Sequence, residues 1–401
     1  MKQTTTPRAD GSGPARRDLA AEFRTTFGRS PEVGWSAPGR VNIIGEYMDL
    51  NESFVLPIAI SLTTRTMAAA RADRALVMRS FHSDAGEGPG PVVVPLDNAA
   101  LPAGWAAYPA SVALALEASG YPVPGADLLI ESDVPVGAGL SSSAALECSV
   151  AGALCTLAGL DLPPMDLARL ARRAENDFVG VPCGIMDQAA SMCCRDAHAL
   201  LLDTRDLAVQ QVPFDLGAAG LGLLVVDTRV KHELGSSAYA RRWEACQLAA
   251  KTLGLRALRD VPADQAEASL RSLAGVWGGE VFKRARHVLT EQARVLRVVD
   301  VLGAGQPAAM GPELFAGHAS LRDDFEVSCA ELDAVVDAAA GAGALGARMT
   351  GAGFGGSAIV LGERESLGAI EVAVRASFDD HGFAAPHCFP VTASAGAYRT
   401  L

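Results

Sequence analysis

Two spacings of apolar residues alternate along this chain and predict its elements. Over 18–27 the apolar Leu19, Ala20, Phe23 and Phe27 recur at helical intervals, and Gly28 follows as a stop. From Val33 the runs become short and β-like, at 41–44, 54–60, 63–70 and 76–79, separated by Gly, Pro, Asn and Asp. Apolar positions three and four apart then predict helices over 106–118, 142–157 and 165–177, with a strand at 127–132 between the first two. Further strands are expected at 199–203 and 221–227. Long amphipathic helices follow over 238–253, 285–302 and 331–340, then a strand at 357–361 and a helix at 367–378. The first half thus reads as sheet-forming and the second as an α/β sandwich, with the change near 205–215.

Length and composition sharpen that division. At roughly 100–200 residues per domain, 401 residues imply two or three domains and a site in the cleft between two of them. The expected units are a lead-in over 1–16, one domain over 17–210 and another over 211–401. An apolar content of 49% excludes wholesale disorder. The net charge of −12 opposes binding to phosphate backbones or anionic lipid, so neither nucleic acid nor a membrane is an expected partner. Eight cysteines lack paired C-x-x-C spacing and read as reduced thiols. The N-terminus lacks the apolar stretch of a signal peptide, and the apolar run 149–160 falls short of the about 20 residues that span a bilayer. A cytoplasmic setting is the expectation.

Three segments carry candidate chemistry. In 135–145, Gly137 and Gly139 precede Leu140, Ser141, Ser142 and Ser143 at the head of an apolar helix. Glycines let backbone amides approach an anion, hydroxyls add donors, and a helix start adds its free N–H groups. The same residues also fit a glycine turn with a serine cap. No Gly-Lys-Ser/Thr follows, so this is not a Walker loop. Residues 351–356 formally satisfy G-x-G-x-x-G, but a strand pattern follows where a dinucleotide fingerprint requires a helix. A loop that brings backbone close to something else, or a plain tight turn, fits better. In 37–49, Arg40, Glu46 and Asp49 stand in an otherwise apolar stretch. Buried charges need partners there, either a polar ligand or a salt bridge from Arg40 to one of the acids.

Taken together, these segments resemble the three motifs of the GHMP small-molecule kinases, and the chain resembles the galactokinases among them. Residues 39–51 read G-R-V-N-I-I-G-E-Y-M-D-L-N against the family's G-R-V-N-L-I-G-E-H-T-D-Y-N, with F-V-L-P at 54–57. Segments 184–188, 236–239, 284–287 and 321–329 follow in family order, so the resemblance covers nearly everything after residue 17. It implies an α+β, two-domain GHMP fold with mixed sheets packed by helices and an active site in the interdomain cleft. The implied activity is ATP-dependent phosphorylation of a sugar's anomeric hydroxyl, with galactose first, L-arabinose as an alternative, and a non-catalytic sugar and ATP sensor as another. The resemblance implies Asp187 and Arg40 as catalytic residues. Glu46, Tyr47, Asp49, Gly184 and Tyr239 match sugar-contacting positions. Gly137, Gly139, Leu140, Ser141, Ser142, Ser143 and Trp105 match the ATP site, with Tyr108 near the adenine. Ser143 and Glu175 match the Mg2+ ligands. The expected partners are the sugar and ATP alone, and the expected state is a monomer or weak homodimer. Tyr47 and Leu50 depart from the family's usual His and Tyr beside the sugar.

Overall fold

The computed structural model describes residues 17–82, 90–98, 100–230, 235–277 and 279–401, without the side chains of His82, Asn98 and 235–239. The expected lead-in over 1–16 lies outside the described residues. Helix α1 (Leu19–Phe27) begins where its sequence predicts, with the Asp18 carboxylate accepting from the Ala21 amide at 3.0 Å and Gly28 closing it at φ 71°. The rest of the first half comprises β1 (Val33–Asn42), β2 (Phe54–Val55), β3 (Pro57–Arg71), β4 (Ala75–His82), β5 (Val92–Pro95), α2 (Ala107–Ala118), β6 (Gly125–Ser132), α3 (Ser142–Leu157), α4 (Pro164–Arg173), α5 (Met186–Cys193), β7 (His198–Asp203) and β8 (Val209–Pro213). The second half comprises β9 (Leu221–Asp227), α6 (Gly235–Thr252), α7 (Ala266–Trp277), α8 (Gly279–Gly303), α9 (Gly311–Ser320), α10 (Ala330–Gly341), β10 (Gly346–Thr350), β11 (Ser357–Glu363), α11 (Leu367–His381), β12 (His387–Val391) and β13 (Tyr398–Arg399).

Three sheets result, in the orders β13-β1-β3-β6-β4-β5, β10-β11-β9-β12 and β2-β7-β8. The pairing is antiparallel except between β4 and β6, so the first sheet is mixed. Helix α3 packs on β1 and β3, with α2 and α4 against it. In the second half, α9 and α10 pack on β10, and α8 lies along α6, α7 and α9.

Several elements differ from the sequence reading for visible reasons. The polar stretch near 61–66 does not interrupt β3, because the buried Thr64 and Thr66 hydroxyls pair with those of Ser132 and Ser149, each at 2.8 Å. Strand β1 begins at Val33 rather than near 41; it is buried almost throughout, and its Gly, Ser and Pro residues hide any alternation. The helix expected over 165–177 ends at Arg173 and widens into a π-helical turn, Ala174–Val179. Strand β13 pairs with Trp35 and Ser36 of β1, so the end of the chain returns to the first sheet.

One cluster joins the halves. Val41, Ile43, Leu56 and Ile58 pack with Leu223, Val225, Val298 and Ile359, all almost fully buried. Among the described residues no helix is long and apolar enough to cross a membrane.

Candidate active site

The register of β1 against β3 shifts between Pro38 and Arg40. Such a bulge re-aims a side chain, and the side chain here is Arg40. Its Nε and Nη2 donate to the two carboxylate oxygens of Asp187 at 2.8 Å each, and its Nη1 donates to the Gly139 carbonyl at 2.6 Å. Arg40 is only 6% exposed at its side chain, whereas Asp187, in the first turn of α5, is 27% exposed. The guanidinium is therefore a buried prop, and the carboxylate faces the open side. Neither Glu46 nor Asp49 takes the Arg40 salt bridge that the sequence allowed.

Ser141 adds a third contact to Asp187, its hydroxyl donating to Oδ2. It stands at the head of α3 in left-handed conformation, φ 59°, and its side chain makes no capping bond to the helix. That distinguishes the loop from a serine-capped turn, since the hydroxyl goes to the Asp187 carboxylate and leaves the helix-start amides for another acceptor. Gly137 and Gly139 are at φ 78° and 73°. A Cβ on Gly137 would meet nothing within 4 Å, so open space lies over it. Ser142 and Ser143 follow in the first turn of α3, half-buried. The Leu140 side chain is in the core, so its contribution to this loop is backbone alone.

The π-helical turn presents Glu175 to the same region. Glu175 is buried, not paired at the surface with Arg172 or Arg173; it accepts from Gln188 Nε2 at 2.8 Å and from the Cys183 thiol at 3.4 Å. Burial and the Asp187 charge raise its pKa, while the nearby Ser143 hydroxyl opposes the rise. Glu147, one turn beyond Ser143 on α3, is fully buried, and burial and then Glu175 hold its carboxyl well above the usual range. Asp49 packs against Gly184, where a Cβ would come within 1.7 Å of Asp49 Oδ2. Burial first, then the charge of Asp187, pushes the Asp49 pKa up to about 6.

The glycine-rich segment 351–356 joins the antiparallel β10 and β11 as a hairpin, which excludes a dinucleotide fold. Its backbone does approach another: a Cβ on Gly351 would sit 3.1 Å from the Gly139 carbonyl, and Ser357 Oγ donates to the Ala138 carbonyl at 2.7 Å. Tyr47, at φ 64°, donates its phenolic proton to the Ala352 carbonyl and stacks on Phe325 with centroids 4.7 Å apart.

The Glu46 carboxylate is buried, one oxygen bonded by Arg348 and the other by the Gly351 amide at 3.3 Å, a tie to the hairpin that the sequence reading did not anticipate. Trp105 packs half-buried against the core from the turn that opens α2. Tyr108 lies near Glu175 and Glu147, whose charges, after burial, raise its pKa. The side chain of Tyr239 lies outside the described residues. Sequence reasoning missed Arg348, Glu291 and Glu147; Arg348 and Glu147 are each a lone charge in an apolar element, the pattern that marks a buried, partnered group, whereas Glu291 sits among the many charges of α8.

Fold and site together define a GHMP kinase: residues 107–195 match the model of the GHMP kinases N terminal domain and residues 298–380 that of the GHMP kinases C terminal domain. Residues 21–71 match the galactokinase galactose-binding signature, and the chain belongs to the galactokinase family. It is 50% identical over 387 residues to the galactokinase of Streptomyces coelicolor, covering 96% of this chain and 98% of that one. It is 40% identical to a Mycobacterium bovis galactokinase, covering 91% and 98%. The crystal structure of Lactococcus lactis galactokinase complexed with galactose is similar at TM-score 0.88 and 31% identity, covering 95% of this chain and 98% of that one. A mevalonate kinase structure, at 15% identity and TM-score 0.62, shares the fold.

Proposed function

We propose that this chain transfers the γ-phosphoryl group of ATP to the anomeric hydroxyl of galactose, giving galactose 1-phosphate and ADP. The observation that carries the reading is the Asp187 carboxylate, held by the Arg40 fork and Ser141 at the mouth of the glycine loop. Asp187 accepts the proton of the attacking hydroxyl, and Arg40 stabilises negative charge that develops beside it. Gly137, Gly139, Ser141 and Ser142 cradle the nucleotide phosphates at the start of α3, with Trp105 toward the base. Asp49, across from Gly184, accepts sugar hydroxyls.

The site also fits magnesium. The Ser143 hydroxyl and the Glu175 carboxylate lie near each other, a pair of hard oxygen donors beside the loop. Bound there with phosphates and water completing its shell, Mg2+ would neutralise charge on the transferring group. The complete set of Arg40, Asp187, Glu175 and serines supports an enzyme over a sensor.

Tyr47 bears on the sugar. A ring filling the space of the C6 hydroxymethyl would favour L-arabinose, but its hydroxyl is bonded to Ala352, which supports galactose. Coupled ADP-release kinetics over a sugar panel test the reading, for wild type and Tyr47→His. Galactose is expected to be preferred by both proteins with a similar ratio over L-arabinose. A change of about tenfold or more, the scale on which a pocket reads one carbon, would place the ring against the sugar. Absence of turnover on every aldose would leave the sensor.

A further inference from the structure

Three elements deliver the reacting groups: α3 carries Ser143, the π-helical turn Glu175, and α5 Asp187. One side chain spans all three. Gln188, next to Asp187 and fully buried, places its amide nitrogen 2.8 Å from Glu175 Oε2 and 3.3 Å from Glu147 Oε2. Glu147 lies one turn beyond Ser143 on α3. An amide has two hydrogens, and here each has a carboxyl to receive it. The nitrogen thereby gives the Glu175 oxygen the proton that the amide oxygen could not supply. The Cys183 thiol, 3.4 Å from the same Glu175 oxygen, closes the bracket from the loop before α5. A carboxyl group buried in an apolar helix costs stability.

We propose that Gln188 and Glu147 are positioning residues for the metal site, a clamp that fixes the Glu175 carboxylate relative to Ser143 and Asp187. The proposal rests on the reading that Glu175 holds magnesium. Partners that orient a metal-binding carboxylate typically matter by about 10–100-fold in metal affinity. The clamp acts on the orientation of Glu175, and the glycine loop and the helix-start amides that take the phosphates do not depend on it. Its loss therefore weakens the metal's contribution to nucleotide binding and leaves metal-free nucleotide binding unchanged.

Calorimetric titration of ADP into the full chain, with and without Mg2+, reads this directly as the ratio of the two dissociation constants. Gln188→Leu and Glu147→Leu are each expected to reduce that ratio about tenfold or more, with metal-free ADP affinity retained. Glu147→Gln keeps an oxygen for the amide and is expected to behave as wild type. Glu175→Gln tests the underlying reading. If it abolishes the ratio while both leucine variants keep the wild-type value, the clamp is overturned and the metal assignment stands. If Glu175→Gln itself keeps the ratio, or wild type has none, both are overturned. Equal losses of metal-free and metal-bound affinity would make the pair packing residues and overturn the proposal. Should Gln188→Leu fail to fold, Glu147→Leu, on a different element, decides.

Discussion

Asp187 is the residue through which most of the site's chemistry is tied. Its two oxygens are held by a bidentate guanidinium and a serine hydroxyl, so the carboxylate cannot rotate away. Asp187→Asn keeps the shape and removes the proton acceptor. It is expected to lower kcat by about 10²–10⁴, with ADP affinity retained by calorimetry. Turnover within a few-fold of wild type would take Asp187 out of the mechanism. Asp49 adds a pH signature. Burial and the neighbouring Asp187 raise its pKa to about 6, so its neutral form accumulates as pH falls through that value, and a neutral carboxyl is the weaker acceptor. The KM for the sugar is therefore expected to rise as pH drops below about 6, in steady-state kinetics, and Asp49→Asn is expected to hold a high KM with that dependence gone. A KM for wild type that stays flat from pH 5 to pH 8 would remove Asp49 from the sugar site.

At the scale of elements, the site is two glycine loops pressed together. The hairpin between β10 and β11 backs the loop that opens α3, and the glycines differ in what they do. Gly353, at φ 73°, has no room: a Cβ would lie 2.1 Å from the Val327 carbonyl. Gly137, also left-handed, faces open space. Gly353→Ala is thus expected to lower the thermal midpoint by forcing the hairpin off Val327, with nucleotide binding weakened as a consequence. Gly137→Val costs only the strain of a left-handed residue, about 1–2 kcal/mol, but places a side chain where phosphate approaches. Its nucleotide affinity is expected to collapse while the fold persists. Calorimetry on both variants, with melting curves, separates them; unchanged ATP affinity in folded Gly137→Val would contradict a phosphate loop at 137–143. The π-helical turn belongs to the same scale. By widening α4 at Ala174 it turns Glu175 inward to Ser143, where a continued α-helix would advance each residue by a fixed angle along the α4 face.

For the whole molecule, a buried charge network holds the segment of Gly45 and Glu46 to the second half. Arg348 donates to Glu291 at 2.9 Å and to Glu46, Glu291 accepts from the Gly45 amide at 2.9 Å and from Arg294 at 2.6 Å, and His287 lies 3.2 Å from the Glu46 carbonyl. Both Arg348 and Glu291 are wholly buried. Removing Arg348 takes the bonded guanidinium from Glu46 and one of two from Glu291 in a low-dielectric interior. Arg348→Met is therefore expected to destabilise the chain by about 3–5 kcal/mol in urea unfolding. A loss below about 1 kcal/mol, the worth of a surface pair, would show that the network is solvated.

The sequence by itself determined what depends on near neighbours. Helical spacing set α3 at 142–157 and α1 behind Asp18, since a helix writes its buried stripe into consecutive turns. Glycines and hydroxyls within a dozen residues marked a candidate for phosphate at the head of α3, and the absence of a helix after 351–356 ruled out a dinucleotide site. The tertiary structure decided the pairings. Arg40 and Asp187 lie 147 positions apart, and Glu46 and Arg348 lie 302 apart. No periodicity records which distant charge answers another, and so the tie of Glu46 to Arg348 came into view only with the fold. Strand β1 escaped the pattern because a strand buried on both faces has no alternation to display. Glu147 was legible only as an anomaly, one acid in an apolar helix. Its meaning came from Gln188 and Glu175, which folding alone brings beside it.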